Sequence, residues 1–459
     1  MIRLFNVYYP TRTLVLLAGE ILLVGVSFLL AALVQFGPDS YLILSYEQGV
    51  YKIIAITVLV VMCSHYFDLY APRLQASAGE TWFRLLLVLG TSSFLLAGVG
   101  YYFPNLMLGK HADVFGLIIL TITLLLWRAG YAWLLQQPYF QERVYVLGSG
   151  DRAQRLVDAL RSRKDLGMEV VGWVGAMGNG GADPESLAAA VRGLMGKQRP
   201  VDRVIVAVVD RRNTLPVREL LDLRLSAIKV EDATSLLEKI FGKIEIESLH
   251  PSALIYSEGF RLGRGFLFVR RCVSFIVALA LLVICAPFLP LIVLLVKVTS
   301  PGPVLFRQKR VGRRGELFTL YKFRTMREDA EARSGAVWAG KNDARVTSVG
   351  RFLRKTRTDE LPQLWNVIIG DMGFAGPRPE RPEFVAWLTE KIPYYNLRHI
   401  IRPGLTGWAQ VRYGYGASLE EALEKLQYDL YYIKHMSLSL DLLIMFETLK
   451  TVLLRRGAQ

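Results

Sequence analysis

The stretch CVSFIVALALLVICAPFLPLIVLLV, residues Cys272–Val296, holds no charged side chain in 25 residues. A helix needs about 20 apolar residues to cross the hydrocarbon core of a bilayer, so this segment is long enough to span one. Pro287 and Pro290 interrupt the run, and each proline removes a backbone donor and bends a helix. The sequence therefore predicts a membrane helix with a bend at Pro287.

Basic residues flank this apolar run on both sides. Arg270 and Arg271 precede it, and residues 297–327 contain nine Lys or Arg against one acidic residue. Because Lys and Arg concentrate on the cytoplasmic side of a membrane, a spanning helix would place one basic cluster on the disfavoured side. We therefore expect a re-entrant helix that enters and leaves by the same face, with a fifth span as the alternative.

The composition of the whole chain is typical of a membrane protein. Of its 459 residues 52% are hydrophobic, the mean hydropathy is +0.31, and the formal charge at pH 7 is +15. A chain both apolar and basic suits anionic lipid or phosphate-bearing substrates. Nucleic-acid binding is the alternative, but much of the charge flanks apolar segments, so we expect no nucleic-acid partner.

The three cysteines lie in apolar stretches and have no metal-ligand spacing, so we expect them to be packing residues.

Four further apolar segments precede the run, and each has about the 20 residues of a bilayer-spanning helix. They are Thr13–Phe36, Val50–Tyr70, Trp82–Phe103 and Val114–Leu135. The distribution of Lys and Arg among the connecting loops predicts that both ends of this region face the cytoplasm. Glu20 lies inside the first segment, where a carboxylate either serves a function or hydrogen-bonds to a neighbouring helix.

Residues 141–262 have the pattern of an α/β module. The stretch RVYVLGSGDRAQRLVDAL (143–160) combines a short apolar strand, a turn at Gly148 and Gly150, and an amphipathic helix. Val201–Val208 follows as a second buried strand, so the order strand, helix, strand predicts a parallel, Rossmann-like sheet. The glycines match only part of the dinucleotide fingerprint. We therefore favour a structural or dimerising role over a bound nucleotide, which leaves a homodimer open.

The densest polar motifs follow the apolar run, and their centre is TRTDELPQLWNVI (356–368). Thr358 is predicted to be a helix N-cap, with Asp359 and Glu360 in the first turn, where the helix dipole favours anions. Adjacent carboxylates beside Arg354 and its basic neighbours are poor core residues, but they suit a metal-bound phosphate. A helix cap alone would explain an acidic residue here, but not the density of arginine.

With these motifs in order, the region from about Arg270 to Leu454 resembles the bacterial sugar transferase domain of monotopic polyprenyl-phosphate phosphoglycosyl transferases. The four spans and the α/β module resemble the long members of that family, which initiate capsule, O-antigen or exopolysaccharide synthesis. The resemblance implies transfer of a sugar 1-phosphate from a UDP-sugar to undecaprenyl phosphate, with release of UMP. It also implies contact with membrane lipid, Mg²⁺ as cofactor, and a catalytic domain on the cytoplasmic face of the bacterial inner membrane.

The resemblance also assigns roles to single residues. Asp359 would be the nucleophile that carries a covalent phosphosugar, with Glu360 as its partner and both as Mg²⁺ ligands. The remaining residues would bind substrate, because they match the phosphate-binding and nucleotide-binding positions of the family: Arg354, Lys322, Arg324, Pro377, Arg378, Pro379 and Asp429. A solvated basic face is the alternative for the two residues of the YKFRTM motif.

The predicted fold class is an α-helical membrane protein with a Rossmann-like cytoplasmic module and a mainly α-helical catalytic domain that carries the re-entrant helix. The predicted domains are residues 1–140, 141–262 and 263–459. Two dipeptides depart from the common pattern of the family. Arg-Thr stands where many members have Ser-Leu before the acidic pair, and Ala286-Pro287 stands where many have Ser-Pro at the bend.

Two other classes of protein remain as alternatives. A membrane-anchored nucleotide-sugar epimerase or dehydratase would share the first two regions, but it needs a Tyr-x-x-x-Lys pair. No tyrosine in this sequence has a lysine four residues later. A non-catalytic scaffold would need neither the Asp359-Glu360 pair nor the arginines around it.

Overall fold

The computed structural model describes residues 1–70, 78–174, 184–195, 201–208, 215–246, 259–260, 263–327, 345–413 and 418–453. These residues are mostly helical, with some sheet. The chain forms two compact units, of which the first consists of Met1–Ile2 and Tyr8–Ser235. The second consists of Arg3–Val7 and Leu236–Gln459.

Two short strands, β1 (Ile2–Leu4) and β2 (Val7–Tyr9), open the chain. The helices that follow are α1 (Thr11–Phe36), α2 (Ser40–Ser45), α3 (Gly49–Tyr66), α4 (Ala78–Tyr102), α5 (Lys110–Gln136), α6 (Asp151–Ser162), α7 (Pro184–Met195), α8 (Val217–Leu225) and α9 (Ala233–Phe241). Four strands lie among the later helices: β3 (Glu142–Leu147), β4 (Met168–Val174), β5 (Arg203–Val206) and β6 (Lys229–Asp232).

The helices α1, α3, α4 and α5 share one apolar core. Val24 and Phe28 of α1 are buried there with Ile56 of α3, Leu85 of α4 and Leu120 of α5. Only 28% to 39% of the most apolar window of each helix is buried. All four predicted segments therefore form helices that are long and apolar enough to cross a membrane, with most of their apolar surface facing outward.

Glu20 of α1 is 2% exposed and is fully engaged by neighbouring side chains. Arg128 of α5 donates from Nε to its Oε1 at 2.6 Å, and the hydroxyl of Tyr70 donates to its Oε2. A buried charge without a partner is strongly destabilising, so this ion pair holds α1 and α5 together. Of the two predictions for Glu20, the structure shows the hydrogen bond to a neighbouring helix.

The strands β3 to β6 form one parallel sheet in the order β4-β3-β5-β6, as predicted from the order of strand and helix. The predicted strand Val201–Val208 is shorter in the structure and comprises only β5. Gly148 follows β3 with φ +141°, and a Cβ built on it would lie 2.7 Å from the carbonyl carbon of Ala207. Glycine is required there because the neighbouring chain passes so close.

The elements of the second unit, after α9, are α10 (Arg264–Cys285), α11 (Leu289–Thr299), β7 (Leu305–Val311), β8 (Leu317–Phe323), α12 (Ser348–Lys355), α13 (Gln363–Ile369), β9 (Gly373–Ala375), α14 (Pro382–Lys391), β10 (Gly404–Thr406), α15 (Trp408–Arg412), α16 (Leu419–Lys434) and α17 (Leu438–Leu453). The strands β7 and β8 form an antiparallel hairpin, and β9 pairs with β10 in parallel. The unit is mainly helical.

The apolar run Cys272–Val296 forms α10 and α11, which are joined by a 3₁₀ turn at Ala286–Phe288. Pro287 and Pro290 have no N–H, so two helical hydrogen bonds are missing at this point. Residues Arg264–Thr299 form a fifth segment that is long and apolar enough to cross a membrane by length and composition.

Both halves of this segment pack against the same compact unit. Ala278 of α10 is buried with Phe318 of β8 and with α13. Val296 of α11 is buried with Phe323 at the end of β8 and with Leu353 of α12. The segment thereby supports the strand and the two helices between which the candidate site lies.

Candidate active site

The chain makes a sharp turn just before the acidic pair. The hydroxyl oxygen of Thr347 caps α12 by accepting a hydrogen bond from the Gly350 N–H at 2.9 Å. Arg357 then adopts φ +57° and ψ +14°, a left-handed conformation that costs a residue with a side chain about 1–2 kcal/mol. The turn brings Asp359 and Glu360 into a 3₁₀ helix, 7% of Asp359 being exposed.

The predicted N-cap at Thr358 is wrong. Thr358 is the first residue of the 3₁₀ helix Thr358–Glu360, and its hydroxyl lies 2.9 Å from that of Thr356. The α-helix α13 begins only at Gln363, after Pro362. Pro362 has no N–H and so cannot donate the helical hydrogen bond that a helix capped by Thr358 would require, and the acidic pair therefore precedes the helix.

Glu360 collects three positive side chains. Its Oε1 lies 2.9 Å from Nζ of Lys322 and accepts a hydrogen bond from Nη2 of Arg378 at 2.7 Å. Its Oε2 lies 4.0 Å from Nη1 of Arg357. Burial alone would raise the pKa of Glu360, but the charges of Arg378, Lys322 and Arg357 outweigh it and hold that pKa well below its usual range. Glu360 is therefore a permanent anion.

Asp359 has a different environment from its neighbour. Among the described residues none donates a hydrogen bond to its carboxylate or forms an ion pair with it. Burial raises the pKa of Asp359; Lys322, Arg354 and Arg378 oppose this shift, whereas the negative charge of Glu360 adds to it. The result is a buried carboxylate in the field of several cations with its lone pairs uncommitted. Such a group can attack an electrophile or bind a metal ion.

The three basic residues that precede the acidic pair in the sequence and were predicted to bind substrate do not all join it. Lys322 binds Glu360 directly. Arg354 acts electrostatically on Asp359, while its Nε donates to Oγ1 of Thr325 at 2.9 Å. Arg324 instead donates to the carbonyl of Ser300 at 2.6 Å, just beyond α11, and is 7% exposed. Its contact is with the end of the apolar segment.

The Pro377-Arg378-Pro379 element is held by its backbone. The carbonyl of Pro377 accepts from the N–H of Gly404 at 2.9 Å. The carbonyls of Arg378 and Pro379 accept from Arg398 at 2.9 Å and from Arg310 at 3.0 Å. With all three carbonyls engaged, the Arg378 guanidinium is presented to Glu360 from a fixed position.

Asp429 lies beneath this element and is 2% exposed. It pairs with Arg398 at 2.9 Å, and Arg398 in turn donates to the Arg378 carbonyl and to the hydroxyl of Tyr395. Burial raises the pKa of Asp429 to about 6, although Arg398 opposes the shift. The structure thus places Asp429 behind the site, where it orients Arg398.

Sequence reasoning missed Arg398 and Arg310. Both act through backbone carbonyls of the Pro-Arg-Pro element. Because every residue type has a backbone carbonyl, these contacts require no particular side chain at the accepting positions. No sequence motif therefore indicated either arginine.

The acidic pair offers few oxygen ligands for a metal ion. Within the part of the chain that the structure describes, no group of three or more His, Cys, Asp or Glu is placed to hold a metal. Asp359 offers free oxygens, whereas Oε1 of Glu360 is shared by two cations. Mg²⁺ is typically bound by one or two carboxylates together with substrate phosphates and water. The residues present fit that mode, in which Asp359 would be the principal protein ligand.

Comparison with known proteins gives consistent matches. The profile of the family described as "Bacterial sugar transferase" matches residues 266–455, which include every candidate site residue. A UDP-N-acetylgalactosamine-undecaprenyl-phosphate N-acetylgalactosaminephosphotransferase of Aeromonas hydrophila is 42% identical over 236 residues, 51% of this chain and 55% of that protein. The UDP-glucose:undecaprenyl-phosphate glucose-1-phosphate transferase of Escherichia coli (strain K12) is 33% identical over 328 residues, 70% of each chain. The "Exopolysaccharide production protein PSS" of Rhizobium leguminosarum bv. phaseoli is 41% identical over 194 residues, 41% of this chain and 97% of that protein.

The raised pKa of Asp429 predicts a specific dependence of stability on pH. An exposed aspartate has a pKa of about 3.9. Between that value and about 6 the folded chain holds a proton that the unfolded chain releases. The free energy of unfolding contributed by Asp429 therefore falls as pH rises from about 4 to about 6. Relative to Asp429→Asn, which has no such proton, the natural chain should lose roughly 2–3 kcal/mol across this window.

The measurement is equilibrium unfolding in neutral detergent at several pH values from 4 to 7. Glu383→Gln, which removes one exposed carboxylate from α14, is the matched control for the loss of a charge. If the free energy of unfolding varied with pH in the same way for the natural chain and for Asp429→Asn, the raised pKa of Asp429 would be contradicted.

Proposed function

Because this chain belongs to the bacterial sugar transferase family, we propose that it transfers a sugar 1-phosphate from a UDP-sugar to undecaprenyl phosphate and releases UMP. The main support for this proposal is the carboxylate of Asp359. It is buried, accepts no hydrogen bond from the described residues, and lies beside the cations that pair with Glu360. The names of the relatives supply the substrate classes, a UDP-sugar and undecaprenyl phosphate. The name of the Rhizobium relative supports a place in exopolysaccharide production.

The proposed reaction has two displacements at phosphorus. In the first, a carboxylate oxygen of Asp359 bonds to the β-phosphorus of the UDP-sugar. The bond from that phosphorus to the oxygen that bridges it to the α-phosphorus breaks. The bridging oxygen leaves with UMP. In the second, a phosphate oxygen of undecaprenyl phosphate attacks the same phosphorus and releases the Asp359 carboxylate. The product is a sugar joined to undecaprenol through a diphosphate.

Positive side chains would stabilise the charge that moves during both steps. Lys322 and Arg378 are held by Glu360 close to Asp359, and Arg354 acts from the other side of the turn. Fixed cations in a partly dry site stabilise developing negative charge without first reorganising. Mg²⁺, bound through Asp359 and phosphate oxygens, would supply further charge neutralisation.

We propose that α10 and α11 form a re-entrant hairpin rather than a fifth span. Both halves pack on the same unit, α10 against α13 and α11 against α12. The α12 sequence is polar, with Arg354 and Lys355 in its last turn. If the segment spanned the bilayer, elements bearing these charges would have to lie within or beyond it. A hairpin leaves the catalytic residues on the cytoplasmic face of the inner membrane.

The exposed surface of the same segment supports membrane contact. Its large exposed apolar side chains include Phe268, Ile276, Val283, Phe288 and Leu294, each more than half exposed. An apolar surface this extensive is unusual for protein facing water and is expected of protein facing lipid. The hairpin would thus bring the active site to the depth at which the phosphate of undecaprenyl phosphate lies.

We propose that residues 141–262 form a Rossmann-like module with a structural role. In chain order its strands are arranged 2-1-3-4, as in doubly wound nucleotide folds. The turn glycine Gly148 has a structural explanation in the close approach of Ala207, so it does not require a ligand. The sheet carries β3 to β6 and no residue of the proposed reaction.

Replacing the acidic pair one residue at a time separates the two proposed roles. Asp359→Asn removes the nucleophile and should lower turnover by at least about 10³-fold. It should not lower the unfolding temperature, because it removes a carboxylate whose charged form is disfavoured by burial. Glu360→Gln should keep the nucleophile but lower turnover by about 10²-fold, because Lys322 and Arg378 lose the charge that holds them.

The measurement is release of UMP from a panel of UDP-sugars without acceptor. The natural chain and Glu383→Gln should each give a burst of one UMP per protein, and Glu360→Gln a slow burst. Asp359→Asn should give none. A normal burst from Asp359→Asn would exclude Asp359 as the nucleophile.

The hairpin is tested by accessibility. In a chain whose Cys63, Cys272 and Cys285 are replaced by alanine, single cysteines are placed at the exposed positions Gly263 and Glu316, on either side of the segment. Both should resist a membrane-impermeant thiol reagent in intact cells and react after permeabilisation.

Labelling of Glu316→Cys from outside would show a span and place the catalytic unit away from the cytoplasm. The double variant Pro287→Leu/Pro290→Leu should shift part of the population towards that outcome, because 25 helical residues without a proline reach about 37 Å. Activity should fall in the same proportion.

A further inference from the structure

A small open cavity in the second unit is surrounded by guanidinium groups. It lies where α10 meets the turn between β7 and β8 and the chain around β9 and β10. Arg270, Arg271, Arg313 and Arg402 line it, together with Leu267 and Ser274 of α10. Its empty volume, mouth included, is about 410 Å³. Because part of that volume is open solvent, a ligand would bind at the mouth and would not be enclosed.

Two of the four arginines are bound by the protein. Arg270 donates from Nε to Oδ2 of Asp441 at 2.7 Å, so its charge is paired. Arg271 donates to the carbonyls of Val367 and Ile368, in the last turn of α13. A helix C-terminus carries only a partial negative charge, so Arg271 is not fully compensated.

The other two arginines have little or no compensation. Among the described residues, the Arg313 guanidinium donates only to the carbonyl of Ile400, at 3.3 Å. Arg402 is half-buried and has neither a hydrogen bond nor an ion pair among the described residues. Burial and the charges of Arg271, Arg313 and Arg270 lower the pKa of Arg402, and Asp371 opposes this only in part. Cations that converge on a concave surface create a strong local attraction for an anion.

The position of the cavity indicates where that anion comes from. Leu267 and Ser274 belong to the first half of the apolar segment, and the adjacent Phe268 and Val269 are 69% and 46% exposed. The mouth therefore lies beside the surface that we propose to contact the membrane. Guanidinium groups gathered beside the end of a lipid-facing helix are well placed to bind a lipid phosphate.

We propose that this cavity is a binding site for the phosphate group of a membrane lipid, separate from Asp359, with Arg313 and Arg402 as its principal ligands. The inference rests on the proposed membrane contact of α10, but it does not use the transfer reaction. A bound phosphate would compensate the surplus charge and fix the depth of the second unit at the membrane surface.

The test measures binding without UDP-sugar, so its outcome is independent of catalysis. The full chain in neutral detergent is titrated separately with short-chain phosphatidylglycerol, short-chain phosphatidylcholine, undecaprenyl phosphate and inorganic phosphate. Bound ligand is counted by native mass spectrometry. The variants are Arg402→Gln and Arg313→Gln. The matched control is Arg314→Gln, because Arg314 is exposed, adjoins Arg313 and does not line the cavity.

The natural chain and Arg314→Gln should bind one anionic lipid with equal affinity, and phosphatidylcholine more weakly. Each of the two variants should weaken binding about tenfold or more, the effect of losing one charge-assisted hydrogen bond. Arg402→Gln should unfold at or above the normal temperature, because it removes a repelled cation. Preference for phosphatidylglycerol identifies a phospholipid as the source, and preference for undecaprenyl phosphate identifies the acceptor.

Three results would overturn the proposal. The first is equal binding by all variants, which would show that the arginines do not hold the lipid. The second is inorganic phosphate binding as tightly as either lipid, which would make the cavity a site for soluble anions. The third is a lowered unfolding temperature for Arg402→Gln with unchanged lipid binding, which would give Arg402 a structural role alone.

Discussion

The carboxylate of Glu360 is the interaction on which the site depends. It draws Lys322 from β8, Arg378 from the loop after β9 and Arg357 from the turn before it to one point. Without the Glu360 carboxylate, Lys322 and Arg378 would be expected to form ion pairs with Asp359. Glu360 therefore brings positive charge close to Asp359, whose oxygens accept no hydrogen bond from any described residue. An adjacent pair of acidic residues thus divides into one that organises cations and one that is free to react.

The rest of the second unit holds that arrangement in place. Arg378 can serve Glu360 only if its backbone is fixed, and the carbonyls of Pro377, Arg378 and Pro379 are all engaged. Asp429 contributes by orienting Arg398, one layer further from the site. From the other side, α10 and α11 pack on β8, which carries Lys322, and on the two helices that flank Asp359. The apolar segment is a structural support of the site and, as we propose, also its contact with the membrane.

The sequence predicted those features that follow from local pattern. Apolar length gave the candidate membrane helices, the order of strand and helix gave the parallel sheet, and residue chemistry singled out Asp359 and Glu360. It failed where a long-range contact or a single proline decides the geometry. Pro362 delays the helix that Thr358 was expected to cap. Arg398 and Arg310 bind carbonyls, which every residue type presents, so sequence alone carried no sign of them.

We propose that Asp359, and no other group, forms a bond to phosphorus because Glu360 leaves it uncommitted. The most direct measurement is peptide mass spectrometry of the purified natural chain after incubation with its UDP-sugar and no acceptor. The peptide that contains Asp359 should gain the mass of one sugar phosphate, and fragmentation should place the adduct on Asp359. The adduct should disappear when undecaprenyl phosphate is added. Release of UMP with no adduct on that peptide, or an adduct on a different residue, would contradict the account.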